Sequence, residues 1–347
     1  MPNNSLSNLR FENIKTIFNC IAPAKNISRA EISEKTNLSL VTVGKVVDAL
    51  ASLGIVKQTK APRPAVGRRA AVVNVNKTPF LLIFDLTAYN FRCTVLDLTL
   101  TRVDDFDGRY DTLTSYPDNI SLFINRAKGY VYKKYGMENC IGIGVSLPGV
   151  YDTINDCARS PRIPEIVVLP VRAFFEKHFP DNIVYVESNS IAAARSNITN
   201  VSEYDQKDIM YWYISDRNVS GAHFISGELA GGRGNTACDF GRMIFDIDLT
   251  LEERIALCKN EQDCAELLSG VLYNMIRVIS PDSFIMEYDM QFPTDRLTET
   301  IVSILIQKYK LPKEHIPDFN AANKKLRNSY LGLANFIRDK WLKQVIY

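Results

Sequence analysis

The sequence predicts an α/β protein in two parts, a small winged helix-turn-helix at the N-terminus and a larger α/β body behind it. Three observations carry this expectation. Charge is split along the chain: residues 1–77 hold 12 Lys and Arg against 4 Asp and Glu, and the remaining 270 hold 29 against 35. Two capped helical segments joined by a short connection lie inside the basic part. From Phe80 onward, short apolar runs of strand character alternate with segments of helical period, the pattern of an α/β layer structure.

Length and composition set the outer limits. At 347 residues the chain exceeds one ordinary domain and suits two or three. An apolar share of 46% with 23% charged residues belongs to a chain that buries a core. No apolar run reaches the roughly 18 residues of a membrane helix, and Met1–Arg10 is polar, unlike a secretory signal. The seven cysteines (Cys20, Cys93, Cys140, Cys157, Cys238, Cys258, Cys264) are scattered and odd in number. That suits reduced thiols better than a disulfide framework. The expected location is cytoplasmic, with no membrane partner. The basic segment reads as a module that attracts phosphate, the plainer alternative being a solvated charged face.

Inside that segment, Leu9, Ile14, Ile17, Phe18 and Ile21 recur at near-helical spacing and predict a first helix ending before Pro23. Ser28-Arg-Ala-Glu31 is a capping box opening a short helix that stops near Asn37, with Ile27, Ala30 and Ile32 as its apolar contacts. Ser39 caps a third helix, Leu40 to Leu53, closed by Gly54. Two helices so joined form a helix-turn-helix, whose second helix can enter the major groove N-terminus first. Ile55–Thr59 and Ala70–Val75 then alternate with period two and predict antiparallel strands. The connection between them carries Lys60, Arg63, Arg68 and Arg69 among Pro and Gly residues, a wing able to bring arginines to the DNA backbone or minor groove. The expected base readers are Ser39, Val41, Thr42 and Lys45. Arg29, Lys35 and the wing arginines Arg63, Arg68 and Arg69 are expected on phosphates of a double-stranded operator.

In the body, Phe80–Phe84 and Arg92–Asp97 read as paired strands, Asn119–Tyr135 as a helix, and Cys140–Ser146 as a buried strand running into Leu147-Pro-Gly149. Ile183–Glu187 is a further strand leading into a helix through Ala192–Arg195. Tyr330–Val345 reads as an amphipathic helix with Leu331, Ala334, Ile337, Trp341 and Val345 on one face.

Taken together, Asn26-Ile-Ser-Arg-Ala-Glu-Ile32, Leu38-Ser-Leu-Val-Thr-Val43, the wing Gly67-Arg-Arg69 and Ile141-Gly-Ile-Gly-Val-Ser-Leu-Pro-Gly149 resemble the ROK family. That family groups bacterial sugar-responsive repressors with sugar kinases, and the likeness runs over nearly the whole chain. It implies an actin-like, ribonuclease-H-like pair of lobes with a sugar site in the cleft, where kinases also hold ATP. The implied division is a DNA-binding domain at 1–77, a first lobe at 78–190 completed by the C-terminal helix 328–347, and a second lobe at 191–327.

The family's working positions are mostly altered. Its first phosphate loop, an Asp followed by two glycines, falls on Asp85-Leu-Thr-Ala-Tyr-Asn90, and its second, a glycine-rich run, on Asp216-Arg-Asn-Val-Ser220. Phosphate cradles bring bare backbone amides to the oxygens, and side chains with a carboxylate work against that. The adenosine segment, which ends in glycines, corresponds to Phe284–Asp289. The Asn-Asp pair whose Asp takes the sugar's proton matches Asn189-Ser190, and a serine of ordinary pKa cannot serve as that base. The sugar-holding Gly-Glu-Ile-Gly-His motif matches Cys238-Asp-Phe-Gly-Arg242, and the zinc-ligating Cys run after it is missing. No cofactor, metal or enzyme activity is expected. Pro148, Gly149, Asn189, Asp239 and Arg242 remain as a ligand set, and Gly227, Gly231, Gly232 and Gly234 keep the turn before the motif. A guanidinium at 242 favours an anionic sugar derivative over a neutral sugar, or simply pairs with Asp239. The implied protein is a carbohydrate-linked transcription regulator, acting as a homodimer or homotetramer. A regulator that no longer senses sugar and an active sugar kinase are the alternatives.

Overall fold

A computed structural model of the chain describes residues 3–60, 71–87, 90–160, 163–198, 202–204, 206–244, 248–323 and 330–346. The basic segment folds as α1 (Asn3–Ile21), β1 (Ile27–Ser28), α2 (Arg29–Thr36), α3 (Leu40–Ser52), β2 (Val56–Lys60) and β3 (Ala71–Val75). Its local signals act as read. The Ser28 hydroxyl accepts the Glu31 N–H at 3.2 Å while Glu31 Oε2 accepts the Ser28 N–H at 2.8 Å, which satisfies two of the free amides of the first turn. Asn37, left-handed at φ 56°, ends α2. The strand β3 lies between β1 and β2 in an antiparallel sheet. Ile17, Phe18, Ile21, Ile32, Val43, Val47, Leu50 and Val73 are buried together. Two expectations need correction: α1 begins at Asn3 rather than near Leu9, and Ala30 is exposed rather than packed. The wing, with Arg63, Arg68 and Arg69, falls outside the described residues.

The body begins with β4 (Phe80–Thr87), β5 (Asn90–Asp97), β6 (Arg102–Arg109), α4 (Tyr116–Tyr135), β7 (Cys140–Leu147), β8 (Val150–Asp152), β9 (Cys157–Arg159), α5 (Val171–His178), β10 (Val184–Ser188) and α6 (Asn189–Ile198). The five-stranded sheet has the order β10-β7-β4-β5-β6, with β7 and β10 parallel to β4 and the other pairs antiparallel. The helix α4 starts at Tyr116, three residues before the first position expected from periodicity. Ser115 caps it and Pro117 sits in its first turn, where a missing N–H costs nothing.

The second half contributes β11 (Asp208–Ser215), β12 (Asn218–Ile225), β13 (Glu228–Leu229), α7 (Leu251–Ala256), α8 (Glu261–Val278), β14 (Ser283–Asp289), α9 (Leu297–Gln307), β15 (Asp318–Ala321) and α10 (Tyr330–Ile346). Its sheet has the order β13-β12-β11-β14-β15, again with an antiparallel first three strands and a parallel fourth and fifth. Both sheets therefore read third-second-first-fourth-fifth in chain order. This duplicated topology is the ribonuclease-H-like pair of lobes, and the cleft lies between them.

Each sheet is covered on both faces. In the first lobe, Phe84, Phe91, Phe123, Phe175 and Phe179 pack beneath α4 and α5, whereas Leu81, Ile83 and Ile141 join Leu333, Ala334 and Ile337 of α10. In the second, α8 and α9 bury Trp212 and Phe284, and α6 covers Tyr211 and Phe224. The face expected on α10 is shifted. Leu333, Ala334, Ile337, Arg338 and Leu342 are buried, while Leu331, Trp341 and Val345 are only half-buried. The helix is packed on several sides at once, by the sheet, by α6 and by α1, so a one-faced reading misplaces its core. Among the described residues no helix is long and apolar enough to cross a membrane.

Candidate functional site

Two surfaces carry the residues singled out by sequence. The first is the start of α3. Leu40 and Val41 are 57% and 68% exposed there, and Lys45 is exposed one turn on. An apolar side chain exposed at a helix start can meet a thymine methyl where such a helix enters a major groove. Leu40 is not among the base readers expected from sequence, because hydroxyl, Lys and Val41 side chains are the ones matched to base edges. Ser39 Oγ accepts the Thr42 N–H at 3.1 Å and lies 2.9 Å from Thr42 Oγ1, so those two hydroxyls are already engaged with each other.

Arg29 is a correction. Its guanidinium forms an ion pair with Asp48 of α3 and donates to Gln58 Oε1 of β2 at 2.9 Å. The hydrogen bond from Arg29 is the main reason the Asp48 carboxyl sits below the usual range. Arg29 thus staples α2 to α3 and β2 and has little fork left for a phosphate. A carboxylate nineteen residues away in sequence is what periodicity could not reveal.

The second surface is the cleft, about 660 Å³ in volume. Gly149, Asn189, Ser190, Asp239 and Arg242 all line it, so residues spread over 93 positions converge as the resemblance implied. Pro148 does not reach it; it is buried behind Gly149. At Gly149 the backbone is left-handed, φ 87°, and a Cβ would lie 2.2 Å from the Arg159 carbonyl oxygen. Only glycine lets β8 and β9 close this tightly. Asp152, Arg159, Asn218, Ser220, Asn235 and Glu252 complete much of the lining. Asn218 and Ser220 belong to the segment matched to the second phosphate loop, whereas Asp152, Arg159, Asn235 and Glu252 did not stand out in sequence because no motif marks them.

The lining mixes serines, asparagines and charged side chains with apolar ones such as Val150, Pro164, Val167 and Ile191. Ser190, in the first turn of α6, places its Oγ 3.2 Å from Ser188 Oγ. Burial pushes the Asp239 carboxyl above its usual range, and the Arg242 charge opposes that. Cys238 is left-handed at φ 67° where the resembling motif has glycine, and burial pushes its thiol up to about 11, so it is not a nucleophile near neutrality. Ser215 pairs with Asn218, which makes Asp216-Arg217 a two-residue hairpin turn, too short for a cradle of free amides. Beside the cleft, the Thr153 N–H donates to the Gly234 carbonyl at 2.9 Å. Among the described residues no group of three or more His, Cys, Asp or Glu side chains is placed to hold a metal ion.

A winged helix-turn-helix followed by two duplicated lobes around a cleft defines the architecture, and its structural neighbours are ROK-family proteins. No family model and no curated protein matches the sequence itself. A ROK-family transcriptional regulator, described as a homologue of the E. coli Mlc protein, superposes with a TM-score of 0.69 at 13% identity. That match covers 97% of this chain and 99% of the other. The ROK hexokinase from Thermus thermophilus matches 74% of this chain and 96% of its own, with a TM-score of 0.57 at 14% identity. A ROK-family protein from Streptococcus pneumoniae in complex with sucrose matches 76% of this chain and 98% of its own, at 12% identity and a TM-score of 0.57. Identities this low speak to fold. The regulator match extends over the winged helix-turn-helix, and the other two stop at about three quarters of the chain.

Proposed function

We propose that the protein is a DNA-binding transcription regulator, a repressor of carbohydrate-utilisation genes, whose sugar-kinase-like body senses an effector and does not phosphorylate it. The observation that carries this reading is the exposed start of α3, where Leu40, Val41 and Lys45 stand free on a capped helix. Its partners are a double-stranded operator, a sugar or anionic sugar derivative in the cleft, and further copies of itself as a homodimer or homotetramer; it works in the cytoplasm. Thr42 and Lys45 read bases, while Arg63, Arg68 and Arg69 supply phosphate contacts. The cleft set is Gly149, Asn189, Asp239 and Arg242. Asn189 and Asp239 suit hydroxyls, and Arg242 suits a carboxylate or phosphate on the same ligand.

The direct test is selection of duplexes from a random pool by the purified full chain, followed by titration of the enriched sequence. Lys45→Ala should cost about 1–3 kcal/mol on that sequence and little on random DNA. Failure to enrich any sequence would overturn the reading. A parallel assay with ATP and common hexoses should give no turnover. Phosphorylation abolished by Ser190→Ala would restore the kinase alternative.

A further inference from the structure

Asn76–Pro79 is the covalent connection between the winged helix-turn-helix and the body, and a link this short and irregular would by itself leave the module free to swing. The packing opposes that. Phe18 and Ile21 of α1, with Val47 and Leu50 of α3, lie in one continuous buried cluster with Leu81 and Ile83 of β4 and with Leu333 and Ile337 of α10. The module has no core of its own that stops at residue 77.

At the centre of the seam is Arg338, 4% exposed. Its Nη1 donates to the Leu98 carbonyl at 3.3 Å and its Nη2 to Asn19 Oδ1 at 3.3 Å. Nη2 also donates to Asn335 and lies 3.4 Å from Asp339 Oδ1. The guanidinium rests over the Phe18 ring, 5.1 Å from its centroid, and Lys15 reaches Asp339 at 3.6 Å. One side chain therefore ties α1, the turn after β5 and α10. Toward the other end of α10, the Gly332 N–H donates to Ser196 Oγ at 2.7 Å. A Cβ at Gly332 would lie 2.4 Å from the Ala192 carbonyl oxygen, so α10 and α6 cross with their backbones nearly touching. α6 in turn starts with Asn189 and Ser190 in the cleft.

We infer that Arg338 is a positioning residue that locks the winged helix-turn-helix onto α10, so that the module and the first sheet form one rigid body. A buried guanidinium contributes little net stability because its desolvation offsets its contacts. What it supplies is a defined pose, since five contacts to three elements are met in one arrangement. The inference concerns how the module is held and stands whether or not the module reads DNA.

Hydrogen–deuterium exchange on the full chain tests it. In the wild type, the buried amides of α1 and α3 should exchange as slowly as those of β4 and β7, as one cooperative unit. Arg338→Met keeps the volume and removes the fork. It should speed exchange in α1 and α3 by about tenfold or more, leave β4, β7 and the second lobe unchanged, and expose 76–79 to protease. Arg338→Lys keeps a cation over Phe18 and should fall between the two. Asn19→Ala, which removes one acceptor from the module side, should give a smaller change in the same place and serves if Arg338→Met does not fold. A wild type whose module exchanges faster than β4 and β7 would overturn the inference. So would an Arg338→Met chain with α1 fully protected, or one loosened evenly throughout the body.

Discussion

The seam beneath the winged helix-turn-helix and the cleft between the lobes are filled differently. The seam is closely packed around one buried guanidinium, with Phe18, Leu333 and Ile337 essentially excluded from solvent and a glycine where two helices cross. The cleft is an open volume lined by serines, asparagines and charged side chains together with Val150, Pro164, Val167 and Ile191, and a backbone hydrogen bond from Thr153 to Gly234 joins the lobes beside it. Close-packed interiors have few alternative arrangements, whereas polar side chains on an open wall lose little when water enters between them. The difference teaches that the join sequence would mark as a domain boundary is the more closely filled of the two regions.

Substitutions can break or sharpen that contrast. The largest effect should come from Ile337→Ala in the seam, which should cost about 2–5 kcal/mol in urea unfolding. A cost below about 1 kcal/mol would mean the seam is loosely filled and the contrast false. Gly332→Ala should cost about 1–3 kcal/mol, since the new methyl must push α10 off α6. Asn189→Ala in the cleft should change stability by no more than about 0.5 kcal/mol while abolishing the response of DNA binding to an effector, read by gel shift. A mutant that still responds would move sensing out of the cleft.

The smallest expected effect is a pH dependence. Burial, opposed by Arg242, raises the Asp239 carboxyl in the folded chain. The folded state then holds its proton at pH values where the unfolded chain has released it. Stability falls as pH rises from the ordinary aspartate range through the raised value. Asp239→Asn removes that slope, so its advantage over wild type should grow with pH across this window in thermal unfolding. No difference in slope would show that the cleft wall at Asp239 is as wet as open surface.

Local chemistry was legible in the sequence; long-range geometry was not. The Ser28 and Ser39 caps, the turn at Asn37 and the strands at Phe80 and Cys140 declare themselves through neighbours a few residues away. The convergence of Asn189 and Asp239 came through a family likeness, and no spacing within the chain contains it. Arg29 was misjudged because a basic residue on a basic module looks free until Asp48 is found beside it. The role of Arg338 was invisible, because a charged residue late in a helix ordinarily faces water, and here α1 arrives from 319 residues away to cover it. Arg159 joins the cleft only because Gly149 allows two short strands to fold back on each other.

The Thr153–Gly234 link ties the turn after β8 to the second lobe. Both partners are main-chain atoms, and the left-handed Gly234, where a Cβ would lie 2.5 Å from Asp152 Oδ1, is what lets them meet. Exchanges at Asn189, Asp239 and Arg242 therefore alter the lining of the cleft while this main-chain link between the lobes stays in place.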